Sequence, residues 1–114
     1  MKLRYTPQAI RDLREIQTYI ADILHNLPAA RRIAKEILDA CAALKRFPEL
    51  GSSIHEKTGF ETDLRMLVCG KQIALYRIDA DCDTVSVARI VHARQDSIRI
   101  LFGDVESTLE KQDP

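Results

Sequence analysis

The chain has 114 residues, 46% of them hydrophobic and 30% charged, with 17 basic residues balancing 17 acidic ones. That length suits one domain with a real core and excludes two, and no apolar run nears the roughly 20 residues a membrane helix needs. The balanced charge lacks the basic footprint of a protein that binds mainly through phosphates, although it leaves a nucleic-acid target open. The stretch from Asp104 to Pro114 holds four acidic residues against Lys111, a net of −3, so the remainder carries +3.

"MKLRYTPQAIRDLREI" has no apolar h-region, so no secretory signal is expected. Cys41, Cys69 and Cys82 are odd in number and form no CxxC pair, the pattern of free thiols in a reducing cytoplasm. His25, His55 and His92 show no metal-ligand spacing, so neither a metal nor a cofactor is expected.

In chain order, "KLRY" opens as a short strand, with Thr6 and Pro7 as N-cap and first residue of a helix. Ile10, Leu13, Ile16, Ile20 and Ile23 or Leu24 recur at helical spacing, which predicts a helix over roughly 7–25, with Asp12 among the charges off its apolar stripe. "HNLP" breaks it, and Ala30, Ile33, Ile37, Cys41, Leu44 and Phe47 mark a second helix that stops at "FPELG". Two helices so joined pack as an antiparallel hairpin. After Gly51 the period becomes that of strands: "SSIHEKTGFE" is a loop, and "TDLRMLVC", "QIALYRI" and "TVSVARIVHA" are strands separated by Gly70-Lys71 and "DADCD". "SIRILF" is a short helix or extra strand. The reading is an α+β fold of two layers, β-α-α-β-β-β, with the hairpin on one antiparallel sheet that ends in a three-stranded meander. One domain spans 1–103, followed by an acidic tail, 104–114.

The segments "YTPQAIRDLREIQTYI", "ALKRFPELG", "LRMLVCGKQIALYRI" and "VARIVHARQDSIRILF", in this order and spacing, resemble the RelE/ParE superfamily of toxins from type II toxin–antitoxin systems, from Tyr5 to Phe102. The resemblance implies a small cytoplasmic toxin, without a metal or cofactor, neutralised by a cognate antitoxin protein. One branch of the superfamily poisons DNA gyrase by binding; another is a ribosome-dependent mRNA endoribonuclease. A nuclease of this kind needs a group that activates the ribose 2′-OH and cations for the developing phosphate charge. Arg65, His92 and Arg94 fit those roles if the chain is a nuclease. Arg65, Arg89, His92, Arg94 and Phe102 are the candidates for contact with target or antitoxin. Two features depart from the nuclease pattern. Gln72 and Ile73 stand where such enzymes tend to carry a catalytic Arg, and Phe102 stands where they often have Tyr or His. The gyrase-directed, ParE-like reading is therefore preferred, with the RelE-like nuclease as alternative and an inactive antitoxin-binding relative as the third.

The residues also have plainer readings. Arg89 alternates with Val85, Val87 and Val91, which places it on their face and predicts a partly buried structural pair with a carboxylate or carbonyls. His92 and Arg94 fall on the opposite face, where a solvated strand end with an Arg94–Asp96 pair is the bland account. Tyr5 and Tyr76 suit core rings with a hydrogen-bonded hydroxyl. Arg31 and Arg32 suit a solvated face.

Overall fold

The structure, a computed structural model, describes residues 1–93. Strand β1 (Lys2–Tyr5) leads into helix α1 (Pro7–Thr18), which continues through a π-helical turn at Tyr19–Ile23. Thr6 starts α1 as expected: its Oγ1 accepts from the Ala9 N–H at 3.1 Å, and Pro7 occupies a position whose N–H would have no helical partner. Helix α2 (Leu27–Ala42) begins the same way, with Asn26 Oδ1 accepting from the Ala29 N–H at 3.1 Å, and tightens into a 3-10 turn at Ala43–Lys45.

Three strands follow: β3 (Arg65–Cys69), β4 (Gln72–Asp79) and β5 (Thr84–His92), joined as an antiparallel meander. Gly70 in the first turn takes φ +64°, which suits the first central position of a two-residue II′ hairpin. The α+β architecture is the expected one. Two details of the sheet are not. Its order, with β2 at Ser52–Ser53, is β1-β5-β4-β3-β2, and β1 lies parallel to β5, so the sheet is mixed rather than antiparallel. A fifth strand and a third helix also emerge from the presumed loop: β2 (Ser52–Ser53) pairs with the start of β3, and α3 (Ile54–Thr58) follows it. Both are too short for any periodicity to show.

The helical hairpin covers one face of the sheet, over a core that includes Ile37, Cys41, Leu44, Tyr76, Val85 and Val87, all at 0% exposure. On the other face α3 and the stretch after it bring Ile54, Phe60 and Leu64 onto Ile73, Leu75 and Val91. Two phase slips correct the expected faces. The π turn carries one extra residue per turn, which leaves Ile23 and Leu24 63% and 55% exposed. In β5, Leu75 pairs with Arg89 but Tyr76 with Val87, so Ala88 is a bulge. Past it the alternation reverses. Ile90 joins the helix-side core while Val91 packs on the opposite face, so Val85, Val87, Arg89 and Val91 do not share one face. Phe47 also leaves the predicted core stripe, at 62% exposure, because the 3-10 turn changes the helical phase before it.

Candidate functional site

Between the hairpin and the far ends of β4 and β5 lies an open groove of about 1000 Å³. Ile16, Tyr19, Ile20 and Leu24 from the first helix and its π turn, with Ile33 of α2, give it an apolar wall. The opposite side is polar: Lys71 in the β3–β4 turn, Gln72 at the start of β4, and Arg89 and His92 near the end of β5. Arg32, Glu15 and Glu36 add charges of both signs.

β1 stops at Tyr5, opposite Val87, and the outer edge of β5 beyond that point would be left without a partner. Side chains near the start of α1 stand in for the missing strand. Thr6 N–H donates to the Val87 carbonyl at 3.0 Å, and Thr6 Oγ1 to the Ala88 carbonyl at 2.9 Å. Asp12, only 5% exposed, accepts the Ile90 N–H at 3.0 Å, Arg89 Nε at 2.8 Å and Gln8 Nε2 at 2.9 Å. Burial pushes the Asp12 carboxyl up, but hydrogen bonds from Arg89, the Ile90 N–H and Gln8 outweigh it and hold it below its ordinary value of 3.8. Arg89 is therefore neutralised at the groove by a carboxylate that helical patterning places off the core face.

Gln72 lies opposite His92 in the sheet register, and both line the groove. Gln72 is 6% exposed and its Oε1 has no hydrogen-bond partner among the described residues. His92 is exposed. Arg89 and His92, assigned to opposite faces by simple alternation, both line the groove: the Ala88 bulge shifts His92 to the helix side beside Gln72, while Arg89 reaches Asp12 at the outer edge of β5.

Arg65 stands elsewhere. It lies four residues before Cys69 on β3, about 13 Å from the groove end of that strand at the usual strand rise. Its Nη2 donates to the Gly51 carbonyl at 2.7 Å and the Glu49 carbonyl at 3.3 Å, and its Nε to Tyr76 Oη at 3.3 Å. Tyr76 Oη in turn donates to the Pro48 carbonyl at 2.7 Å and accepts the Gly51 N–H at 3.0 Å. Arg65 and Tyr76 thus pin the "FPELG" linker onto the sheet. Only a glycine fits at 51, since a Cβ there would lie 2.5 Å from the Met66 carbonyl oxygen and 2.7 Å from Tyr76 Oη. Arg94 and Phe102 lie outside the described residues, as do "SIRILF" and the acidic tail.

Asp12, Lys71 and Tyr19 are groove residues that sequence reasoning passed over. A carboxylate four residues after Gln8 on the first helix gave no sign that its main partner lies 77 residues away. Among the described residues no group of His, Cys, Asp and Glu can hold a metal ion, and no helix is long and apolar enough to cross a membrane.

A family model described as the ParE toxin of the type II toxin–antitoxin system parDE matches residues 3–97. No curated protein matches the sequence. Among solved structures, the chromosomal ParDE toxin–antitoxin system from P. aeruginosa superposes with a TM-score of 0.68 at 20% identity, covering 82% of this chain and 97% of that one. The toxin–antitoxin complex RelBE2 from Mycobacterium tuberculosis gives a TM-score of 0.59 at 26% identity, covering 80% and 95%. A YoeB/ParE toxin from Agrobacterium tumefaciens gives 0.55 at 20% identity, covering 81% and 98%.

Proposed function

Since the chain belongs to the ParE toxin family of type II toxin–antitoxin systems, we propose that it inhibits growth in the cytoplasm by binding DNA gyrase, without cleaving RNA itself, until a cognate antitoxin neutralises it. The observation that carries this reading is the polar side of the groove. Gln72, whose Oε1 has no partner among the described residues, stands with Ile73 where a nuclease of the superfamily is expected to carry an Arg. Arg89, which lines the same groove, is already neutralised by Asp12. An open carbonyl oxygen repels a phosphate, and a paired guanidinium has little charge left to stabilise one. Arg65, one of the two arginines expected of a nuclease, donates to its own linker.

The same groove suits a peptide. It combines an apolar wall with a rim of mixed charge and one buried acceptor that calls for an N–H donor. Tyr19, Ile23, Leu24 and Leu27, each at least 51% exposed, extend the apolar surface over the hairpin tip. A partly disordered antitoxin segment that folds on binding would set apolar anchors there and donate to Gln72.

Induction of the protein in growing cells tests the target. Gyrase-trapped DNA breaks, with no early cuts in mRNA by primer extension, are the expected result. Codon-phased mRNA cuts within minutes would overturn the binding mechanism in favour of the nuclease.

A further inference from the structure

The groove contains a stretch of unpaired sheet edge. The Ala93 N–H donates to the Lys71 carbonyl at 2.7 Å, and bonded pairs alternate along an antiparallel ladder, so Val91 and Arg89 also turn their backbone groups toward β4. Ile90 and His92, which lie between, turn theirs the other way, toward the outer edge of β5. The Ile90 N–H shows this direction, since it donates to Asp12 at 3.0 Å. Along that edge β1 ends at Tyr5, level with Val87, and Thr6 and Asp12 occupy the backbone groups that follow, as far as the Ile90 N–H. Beyond it the Ile90 carbonyl and the N–H and carbonyl of His92 have no partner among the described residues. Ile90 and His92 both line the groove, and α1 brings Ile16 and Tyr19 to its apolar wall. Glu15, one turn past Asp12 on α1, also lines it, is exposed, and joins no salt bridge among the described residues.

We propose that the antitoxin segment lies in the groove as an added β-strand, held by the Ile90 carbonyl and by the N–H and carbonyl of His92. The placement rests on the proposed antitoxin partner and specifies how that partner is held. A helix satisfies its own backbone and has no donors or acceptors to spare along its length, whereas an extended segment presents both at the spacing of a sheet. The segment would take the place beside β5 that β1 vacates after Tyr5, and so continue the sheet. Covering the edge would satisfy backbone groups that any apolar occupant of the groove would otherwise strip of water. Alternate residues of a strand share a face, so every second side chain of the segment would meet Ile16 and Tyr19 and should be apolar. The position beside Glu15 calls for Lys or Arg, because that carboxylate lacks a counter-charge at the groove.

The test pairs the full chain with the antitoxin encoded by the neighbouring gene. His92→Pro and His92→Ala both lose the imidazole, but only the proline loses the outward N–H, and an edge position tolerates proline. By calorimetry His92→Pro should bind the antitoxin about tenfold or more weakly than His92→Ala does. In the wild-type chain the His92 amide proton should exchange freely and become protected in the complex. That measurement decides the matter even if the proline variant fails to fold. Glu15→Lys should weaken binding by about threefold or more, and unchanged binding there would overturn the basic position. Equal affinities for the two His92 variants, or an amide as exchangeable in the complex as in the free chain, would overturn the added strand and leave the antitoxin partner standing. An amide already protected in the free chain would overturn it as well, by showing the edge filled from within the molecule. If the wild type forms no complex at all, the antitoxin partner and the added strand both fall.

Discussion

Four hydrogen bonds converge on the carboxylate of Asp12: one from Gln8, two from Arg89 and one from the backbone of Ile90. Replacing it by Ala leaves the buried Ile90 N–H without an acceptor and Arg89 without its counter-charge. That loss should cost about 3 kcal/mol in urea unfolding. The pH dependence has a definite sign. Asp12 titrates lower in the folded chain than its ordinary 3.8, so its contribution is complete above that value and disappears as the pH falls below it. Asp12→Asn, followed from about pH 7 to about pH 3, should lose stability at the neutral end and show a flatter acid limb than the wild type. Tyr76 has a similar role at the other end of the sheet. Tyr76→Phe removes a donor to Pro48 and an acceptor for Gly51 and Arg65, and should lower stability by about 1–3 kcal/mol in the same assay. The sequence showed Tyr76 to be a core ring, and that is where it lies. It could not show what the hydroxyl holds, because the acceptor is a linker carbonyl 28 residues upstream.

Among the elements, the helix starts were legible because their signals are local: Thr6 with Pro7 caps the first, and the "HNLP" break, with Pro28 suited to a first turn, marks the second. The phase slips were not. A periodicity argument assumes a uniform turn, and both the π turn at Tyr19–Ile23 and the Ala88 bulge insert one residue without an unusual composition. These slips shape the candidate site. The first turns Ile23 and Leu24 outward at the hairpin tip, and the second puts His92 on the helix side of the sheet, at the groove. Tyr19 and Leu24, both 55% exposed, should therefore contribute to partner binding more than to folding. Tyr19→Ala or Leu24→Asp should weaken antitoxin binding by about tenfold or more in calorimetry, as expected for central apolar anchors. Each should shift unfolding stability by no more than about 0.5 kcal/mol.

For the molecule as a whole, the switch from helical to strand-like periodicity at Gly51 made the α+β order readable. The partner of β1 was not readable, since "KLRY" has no feature that chooses an edge or a direction. The formal charge of +0 also has a consequence at this scale. A protein that engages six to ten phosphates loses roughly 10³–10⁵ in affinity between about 50 and 200 mM salt. Target binding by this chain should weaken by less than about tenfold over the same range, since the groove carries charges of both signs and Arg89 is already paired. Titrations of purified gyrase, the proposed target, at the two salt concentrations measure this directly.

The parallel pairing of β1 with β5 also fixes an order in time. Residues 2–5 leave the ribosome first, yet their sheet partner is 84–87, and β5 is the strand that joins β1 to β4. Contacts so distant along the chain form late in folding, and synthesis delays them further. Until β5 arrives, β1 has no neighbour, Asp12 has neither Arg89 nor the Ile90 N–H, and the groove lacks its Arg89 and His92 side. A nascent chain that has not yet extended past His92 therefore cannot present the finished surface, which exists only once translation of the fold is complete.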